Sequence, residues 1–388
     1  ININASPYDI HKSETRKGIV MKKALKLNVP IIYLNMVGGQ DELVFDGGSF
    51  VVNDLGEIIY QASSFKEEVF HLDIDLRTNK QNDKPPLIIR PKTIELKDVE
   101  SKASLSKNES IYSALKLGLK DYVRKNKFTK VLIGISGGID SALTAAICVD
   151  ALGAENVIGV AMPSKYNSKD SLDDAIKLSD NLGITLKTIE IEKLVDDFRE
   201  TLTNSLNEDL GQITDENIQS RVRGNILMGL SNQTGAMVVS TGNKSEMAVG
   251  YSTLYGDLAG GFALIKDLYK TKVYELSNYI NSISDAIPKN IITKEPSAEL
   301  RPNQFDSDSL PDYEVLDKIL NLYIEEDSSS EKIIASGVDP NLVFDVLEKV
   351  DRNEYKRKQV APGVKLTQKA FGKDRRMPIT NTYIRQKE

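Results

Sequence analysis

The sequence has very little cysteine and histidine: its 388 residues include one cysteine, Cys148, and two histidines, His11 and His71. One thiol cannot form a disulfide within the chain, and it excludes a zinc site built from a cysteine cluster. We therefore expect a reducing compartment, the cytoplasm. Both histidines are interpreted as structural, because two imidazoles alone build neither a metal site nor a catalytic triad.

Long apolar runs and an excess of positive charge are also absent. No apolar run reaches the roughly twenty residues that a transmembrane helix needs, and the chain does not begin with a basic and then apolar secretion signal. The formal net charge of −6 argues against binding to nucleic acid or to an anionic membrane. With 40% hydrophobic and 27% charged residues, the composition is that of a soluble globular protein.

The length predicts about two or three domains. Residues 1–76 alternate β-rich runs with turns, and they predict a helix over 12–27 and strands over 30–35, 49–53, 56–60 and 69–74. The second and third of these strands flank a hairpin turn. Residues 77–106 are polar and interrupted by prolines, which predicts a linker. The chain starts inside a strand-like run at Ile1, so we interpret residues 1–76 as the later part of a domain.

Residues 107–388 follow a different pattern, in which solid apolar runs alternate with helical segments. Strands are predicted over 130–135, 157–162, 184–191 and 236–240. The helices are predicted over 109–125, 141–152 and 168–182, with a long helical region ending near residue 232. Apolar strands between amphipathic helices predict an α/β fold with a parallel, doubly wound sheet. Because ligands of such sheets bind outside the carboxyl ends of the strands, the residues that follow each strand form the candidate site.

The segment Ser136–Ser141 reads SGGIDS and lies between the first of these strands and a helix. Gly137 and Gly138 permit a tight turn close to an anion, and the backbone N–H groups of the turn and the helix start favour phosphate. The loop lacks the lysine of the GxxxxGK[ST] motif. Asp140 would repel phosphate unless a cation neutralised it, which favours a bridging Mg²⁺. A serine-capped turn is the simpler alternative, but the whole hexapeptide favours pyrophosphate binding by Ser136, Gly137, Gly138, Ile139, Asp140 and Ser141.

The hexapeptide resembles the signature loop of the N-type ATP pyrophosphatases, which cleave ATP to AMP and pyrophosphate. Two further segments narrow the resemblance to glutamine-dependent NAD synthetases: STGNKSE at 240–246 and GYSTLYGDLAGGFALIKDLYKT at 250–271. The resemblance implies that the chain is a carbon–nitrogen ligase. The carboxylate of deamido-NAD would be adenylated by ATP and then amidated by ammonia, giving NAD, AMP and pyrophosphate. The resemblance also implies a homodimer that assembles through the domain formed by residues 107–388.

The same resemblance assigns roles to individual residues. Asp140 and Glu246 would hold Mg²⁺ on the ATP phosphates, and Asp140 and Lys270 are the candidate catalytic residues. Without the resemblance, the simpler interpretation of Glu246 is an acidic residue that stabilises the first turn of a helix. The simpler interpretation of Lys270 is a residue on a solvated helix face. The predicted ATP ligands beyond the hexapeptide are Met162 and Thr241, and the predicted deamido-NAD ligands are Arg221, Asp257, Lys270, Ser297 and Lys356.

Residues 1–7 and 38–47 resemble the later part of a nitrilase-like glutaminase domain, which in this family releases ammonia from glutamine. The Glu-Lys-Cys set of that domain precedes such a segment, so the chain is expected to be N-terminally truncated and to lack the glutaminase nucleophile. Cys148 does not replace it, because its alanine-rich and aliphatic surroundings predict a small buried hydrophobe. The resemblance therefore implies ammonia as the nitrogen source for this chain and glutamine for a full-length parent.

Three other functions fit parts of the sequence. Another amide synthetase of the pyrophosphatase type, such as GMP synthetase, would share the phosphate loop but normally carries a different amidotransferase domain. A tRNA thiolase would need catalytic cysteines, which a single buried cysteine opposes. A non-catalytic nucleotide-binding fragment would not need the phosphate loop, Glu246 and Lys270 together, so their presence argues against this function.

Overall fold

The computed structural model describes residues 1–72, residue 74 and residues 101–380. The chain divides into two compact units, of which the first is formed by Ile1–Gly38 and Val44–Ser106 and the second by Gly39–Leu43 and Lys107–Glu388. Within the described residues, none of the helices combines the length and the apolar character that crossing a membrane requires.

The first unit contains a four-stranded mixed sheet. The elements of the first part of the chain are β1 (Asn2–Asn4), α1 (Lys12–Leu27), β2 (Ile31–Asn35), β3 (Val37–Gln40), β4 (Leu43–Asp46), β5 (Phe50–Val52) and β6 (Ile58–Gln61), and β3 and β4 each contain residues of both units. The strand order is β1-β2-β5-β6, and β3 pairs with β4. The first pair is parallel and the other two are antiparallel. Val20 and Ala24 of α1 pack with Tyr33 and Phe50 of the sheet. The predicted helix and the predicted hairpin between β5 and β6 are confirmed.

The predicted strand over 69–74 is wrong for its described residues, since 69–72 and Ile74 belong to no strand. Asp73 lies outside the described residues. Phe70 packs instead on Tyr60, with ring centroids 4.4 Å apart, and Leu72 joins the same apolar cluster. The alternating apolar residues are therefore used for side-chain packing without ladder hydrogen bonds. Of the predicted linker, residues 77–100 also lie outside the described part, and 101–106 form neither helix nor strand.

The second unit is built on a parallel sheet with the strand order β11-β10-β7-β8-β9, and all four strand pairs are parallel. Its elements are α2 (Lys107–Lys125), β7 (Val131–Gly134), α3 (Ile139–Leu152), β8 (Val157–Ala161), α4 (Lys169–Leu182), β9 (Thr185–Thr188), α5 (Glu192–Leu206), α6 (Gln212–Thr234), β10 (Met237–Ser240), α7 (Lys244–Val249), β11 (Phe262–Ala263), α8 (Lys270–Ser284), α9 (Lys289–Thr293), α10 (Tyr313–Leu320), α11 (Ser330–Ala335), α12 (Pro340–Arg352) and α13 (Glu354–Arg357). The predicted α/β fold is confirmed.

Buried apolar side chains hold these elements together. Val131, Leu132 and Ile133 of the central strand β7 are completely buried, as expected for a strand covered by helices on both faces. A second apolar cluster joins α10 and α12 through residues such as Leu316 and Val346.

Two predictions in the second unit differ from the structure by more than two residues. The long helical region is two helices, because Asn207 adopts a left-handed conformation with φ of 54° and ends α5. Strand β9 stops at Thr188 rather than 191, because Ile191 already begins the turn into α5. The first difference arises at a polar residue with a left-handed backbone, and the second where the apolar alternation continues into the start of a helix.

Candidate active site

A cavity of about 490 Å³ lies at the carboxyl ends of β7, β8 and β10 in the second unit. Its volume falls in the range of small-molecule sites. Of the residues singled out in the sequence, the following line it: Ser136, Gly137, Gly138, Ile139, Asp140, Ser141, Met162, Thr241, Glu246, Asp257, Lys270, Ser297 and Lys356. Arg221 does not line it; this arginine is exposed, and its Nε donates to the carbonyl oxygen of Leu254 at 3.2 Å.

The phosphate loop has the tight geometry that its glycines predict. Gly137 has a φ of 80°, and a Cβ atom there would lie 2.2 Å from the carbonyl oxygen of Ser171, so a side chain would clash with backbone. Gly138 is the N-cap residue of α3 and has no side chain with which to cap the helix. The hydroxyl of Ser141 donates to the Gly138 carbonyl at 2.9 Å, and the Gly138 N–H donates to Ser136 Oγ at 3.2 Å. The loop thus presents a helix N-terminus that favours an anion.

Two carboxylates converge on one ammonium group beside this loop. Lys270 Nζ lies 2.5 Å from Asp140 Oδ2 and 3.3 Å from Glu246 Oε1, and the lysine side chain is 3% exposed. The amide of Asn243 donates to the other oxygen of Asp140 at 2.9 Å. Elements α3, α7 and α8 each contribute one charged side chain from their first turn, so the cluster forms where three helices start.

Glu246 combines both roles that its sequence position allows. Its backbone N–H donates to the Asn243 side chain at 3.0 Å, and the Asn243 N–H faces Glu246 Oε2 at 3.5 Å, which forms a capping box at the start of α7. The other carboxylate oxygen is the one that meets Lys270. The helix-start interpretation and the site interpretation are therefore compatible in one side chain.

Burial and neighbouring charges shift the proton affinities of this cluster. Burial raises the pKa of Glu246 to about 8, and the charges of Asp140 and Asp306 act in the same direction against that of Lys270. Burial alone would lower the pKa of Lys270, but the carboxylates of Asp140 and Glu246 outweigh it and raise that pKa above its ordinary value. Lys270 therefore stays protonated at neutral pH, and its ammonium group lies between the side chains of Asp140 and Glu246.

The arrangement fits a divalent cation such as Mg²⁺. Asp140 and Glu246 direct oxygens from different helices at one cation, and Lys270 currently supplies the positive charge there. Within 1–72, 74 and 101–380, no group of three or more His, Cys, Asp or Glu side chains could hold a metal ion by itself. Mg²⁺ is typically held by one or two carboxylates, with water and substrate phosphates completing its octahedron, so two carboxylates beside a phosphate loop are a suitable set.

The backbone of Lys270 is fixed by residues that the sequence analysis did not single out. The Lys270 N–H donates to Ser245 Oγ at 2.9 Å, and the Ser245 hydroxyl donates to Asp317 Oδ1 at 2.5 Å. The N–H of the next residue, Thr271, donates to the other Asp317 oxygen at 2.9 Å. Ser245 lies inside the STGNKSE segment, but Asp317 is far away in the chain and no local signal marks it.

Asp257 and Lys356 also line the cavity. Asp257 Oδ1 accepts from the Thr253 N–H at 2.6 Å, and desolvation raises the pKa of Asp257 above its ordinary value. Lys356 Nζ donates to the carbonyl oxygens of Gly250 and Ser252, both at 2.7 Å, and burial lowers the pKa of Lys356. These contacts join the 250–257 segment to α13.

Arg223 of α6 borders the predicted ATP site. Its Nε donates to the Met162 carbonyl oxygen at 3.0 Å, and one terminal nitrogen donates to Asn167 Oδ1 at 3.1 Å. Burial lowers the pKa of Arg223 to about 10, so the group remains cationic at neutral pH. Because Arg223 fixes the backbone at the end of β8, it can orient the carbonyl and N–H groups that an adenine ring would meet.

The segment 294–310, hereafter the covering segment, closes one side of the cavity. Glu299 accepts hydrogen bonds from Ser171 Oγ at 2.6 Å and from Asn167 Nδ2 at 2.7 Å, which attach this segment to the start of α4. Ser297 lines the cavity, and its hydroxyl donates to the Gln304 carbonyl at 2.5 Å. Ser297 is a residue predicted from the sequence, whereas Glu299 is not, and its partners lie about 130 residues earlier in the chain.

Comparison with known proteins places the chain in a family. Residues 111–360 match the family model for NAD synthase. The chain belongs to the NAD synthase family. The glutamine-dependent NAD(+) synthetase of Thermotoga maritima is 49% identical to it over 401 residues, and the alignment covers 98% of this chain and 70% of that protein.

Solved structures agree with the family assignment. The glutamine-dependent NAD+ synthetase of Acinetobacter baumannii, in complex with ADP, has 45% sequence identity and a TM-score of 0.68, and the match covers 98% of this chain and 68% of that one. The NH3-dependent NAD synthetase of Campylobacter jejuni subsp. jejuni has 30% identity and a TM-score of 0.53 over 65% of this chain and 96% of that one. The predicted resemblance to NAD synthetases is confirmed, and the predicted truncation stays a prediction.

Proposed function

We propose that this chain catalyses the ATP-dependent amidation of deamido-NAD to NAD through an adenylate, with release of AMP and pyrophosphate. The observation that carries the proposal is the convergence of Asp140, Glu246 and Lys270 beside the SGGIDS loop in a chain of the NAD synthase family. A carboxylate would attack the α-phosphorus of ATP, so pyrophosphate is the leaving group, and this cluster lies where that charge would develop.

The phosphate loop and Lys270 are proposed to bind and stabilise the leaving pyrophosphate. The N–H groups at the start of α3, whose N-cap residue is Gly138, would attract phosphate oxygens. The Lys270 ammonium group is preorganised by two carboxylates and a fixed backbone, so little reorganisation is needed when charge develops on the leaving group. Asp140 and Glu246 would hold Mg²⁺, which when bound would neutralise phosphate charge and help to orient the α-phosphorus.

Three other lining residues, Asp257, Ser297 and Lys356, are proposed to bind deamido-NAD. Asp257 and Lys356 offer charges of both signs for a dinucleotide. Arg221 is exposed and lies outside the cavity lining, so its proposed contact with substrate requires a part of the dinucleotide to extend beyond the cavity. Met162 and Thr241 are proposed to contact ATP from the ends of β8 and β10.

Ammonia is the proposed nitrogen source for this chain. Cys148, the one cysteine in the sequence, is completely buried, and burial raises the pKa of its thiol. A buried, protonated thiol is a poor nucleophile, so glutamine hydrolysis by Cys148 is not expected. A cytoplasmic location and assembly as a homodimer remain predictions from the sequence.

The test is NAD formation by the full chain from deamido-NAD, ATP and Mg²⁺, with ammonium chloride or glutamine as the nitrogen source. We expect NAD with ammonium and none with glutamine. Lys270→Met should reduce kcat by about a hundredfold or more, as removal of one preorganised charge-stabilising group does elsewhere. Lys272→Met is the matched control, because Lys272 is two residues away on α8 and pairs only with the exposed Glu275 among the contacts found for it.

The outcomes separate the candidate functions. A folded chain that binds ATP and makes no NAD with ammonium would rule out the proposed reaction. ATP cleavage without NAD formation would favour another amide synthetase of the same chemistry, and binding without cleavage would favour a non-catalytic nucleotide-binding role.

A further inference from the structure

Tyr313, the first residue of α10, faces the ammonium group of Lys270. The distance from Lys270 Nζ to the centroid of the Tyr313 ring is 5.2 Å, within the range of a cation–π interaction. The same lysine side chain is 3% exposed, so the ring acts on a cation that has lost most of its water. Attraction of this kind is strongest for desolvated cations.

The ring of Tyr313 is itself held by the covering segment. Its hydroxyl donates to Asp306 Oδ2 at 2.7 Å, and Asp306 is 5% exposed. The Asp306 backbone N–H donates to the Pro296 carbonyl at 3.0 Å, next to Ser297. Asp306 also lines the cavity with Glu246 and Lys270. The tyrosine therefore contacts Lys270 with its ring and the covering segment with its hydroxyl.

Two residues on one face of α10 hold Lys270, one near its backbone and the other at its ammonium group. Asp317 lies four residues after Tyr313 and therefore on the same face of the helix. Asp317 fixes the Lys270 backbone through Ser245 and the Thr271 N–H, while Tyr313 contacts the ammonium group. The helix itself is anchored in the core, since Leu316, Ile319 and Leu320 are completely buried.

We infer that Tyr313 is a positioning residue, which keeps the Lys270 ammonium group directed at the phosphate loop and, through its hydrogen bond to Asp306, does so best when the covering segment is in place. The inference rests on the proposed function for its catalytic consequence. Tyr313 does not line the cavity and has no assigned contact with substrate, so it acts through Lys270. The arrangement would couple closure over the substrate to the position of the lysine.

The chain provides a matched control in Tyr323. Its hydroxyl donates to Asp351 Oδ1 at 2.7 Å, and the guanidinium group of Arg375 lies 4.5 Å from its ring centroid. Tyr323 therefore combines a tyrosine–aspartate hydrogen bond with a cation–π contact, in the π-helical turn that follows α10, but away from the cavity lining.

The first experiment compares Tyr313→Leu and Tyr313→Phe with Tyr323→Leu and Tyr323→Phe in the full chain. We expect Tyr313→Leu to lower kcat about tenfold with little change in the KM for deamido-NAD. Tyr313→Phe keeps the ring and should restore most of that loss, leaving about a threefold decrease. The Tyr323 variants should lower the melting temperature without lowering kcat. A wild-type kcat in Tyr313→Leu would overturn the inference.

A second readout does not depend on activity. Brief acetylation with acetic anhydride, followed by peptide mass spectrometry, measures how accessible each lysine is. Tyr313→Leu should increase acetylation of Lys270 several-fold and leave that of the completely buried Lys244 unchanged. If the wild-type chain makes no NAD, the proposed function fails but this comparison still decides the inference: increased labelling at Lys270 supports it, and unchanged labelling overturns it.

The link to the covering segment is tested by a double-mutant cycle, which also serves if Tyr313→Leu does not fold. Asp306→Ala and Tyr313→Phe each remove one side of the hydrogen bond, so the double variant should have nearly the kcat of the slower single variant. Asp306→Ala combined with Tyr323→Phe should show independent effects. Independent effects in both cycles would overturn the coupling between Asp306 and Tyr313.

Discussion

At the scale of single residues, the phosphate loop depends on the backbone of Gly137. Its positive φ of 80° and the 2.2 Å approach of a Cβ atom to the Ser171 carbonyl oxygen leave no room for a side chain. We expect Gly137→Ala to destabilise the chain by roughly 1–3 kcal/mol, the usual cost of a strained residue, and to abolish ATP-dependent NAD formation because the loop must shift. Thermal unfolding and the ammonium-dependent assay would measure both effects.

The control for this prediction is Gly229→Ala in the helix α6. A Cβ atom at Gly229 meets no atom within 4 Å, and its φ is not positive. Alanine there should stabilise the chain by about 0.5–1 kcal/mol, because it removes conformational freedom from the unfolded state. Equal stability and activity of the two variants would contradict the role given to the Gly137 backbone.

The sequence motifs indicated which residues belong to the candidate site, but the sequence did not reveal the contacts between distant segments. Glu246 and Lys270 belong to segments with a local pattern and lie together as a strand-end site requires. Glu299 and Tyr313 carry no such pattern, because their importance comes from partners that only the fold brings near. Arg221, which the family resemblance assigned to deamido-NAD, is exposed and does not line the cavity, so its contact with substrate stays a prediction.

At the scale of elements, the completely buried Lys244 joins the start of α7 to the chain after α13. Its Nζ lies 2.8 Å from Asp267 Oδ1, 3.1 Å from Glu325 Oε1 and 2.7 Å from Thr367 Oγ1. Lys244→Met would leave two carboxylates without their cation, so we expect a loss of about 3–5 kcal/mol in unfolding free energy. Denaturant unfolding at neutral pH measures this loss.

Lys272→Met is again the appropriate comparison, since it removes an exposed ion pair with Glu275. Pairs of this kind contribute less than about 1 kcal/mol. If Lys244→Met also lowered the unfolding free energy by less than about 1 kcal/mol, solvent would have to enter the buried cluster. The connection between these elements would then be weak.

Most elements were predictable because their signals are local and periodic. The parallel sheet follows from apolar runs such as Val131–Gly134, and the observed helix Lys12–Leu27 has the predicted bounds. The apolar alternation near Phe70 did not produce a strand, and Phe70 packs on Tyr60 instead. Whether alternating apolar residues pair in a sheet or only pack on one depends on segments that are distant in the chain. Strand β11 has two residues, too few for a periodic pattern to appear.

At the scale of the whole molecule, the candidate site makes folding stability depend on pH. Glu246 has its pKa raised to about 8, first by burial and then by Asp140 and Asp306. A carboxyl group with a raised pKa binds its proton more strongly in the folded state than in the unfolded state. The unfolding free energy must then fall as pH rises from about 4.5 towards 8, so this part of the site stabilises the fold at low pH and destabilises it at high pH.

We therefore expect the metal-free and nucleotide-free chain to lose on the order of 3 kcal/mol of stability between pH 5 and 8 through Glu246, and Glu246→Gln to remove most of that dependence. Glu192→Gln is the control, because hydrogen bonds from Lys165 and Arg199 outweigh burial and lower the pKa of Glu192, so its contribution is lost only as pH falls below about 4.5. Added Mg²⁺ and ATP should flatten the wild-type profile, since a cation beside Glu246 favours the ionised carboxylate. Urea unfolding across this pH range measures the unfolding free energy of the wild type, with and without ligands, and of both variants. A wild-type unfolding free energy that rises towards pH 8 without ligands would contradict the assignment of Glu246 to a buried, charge-crowded site.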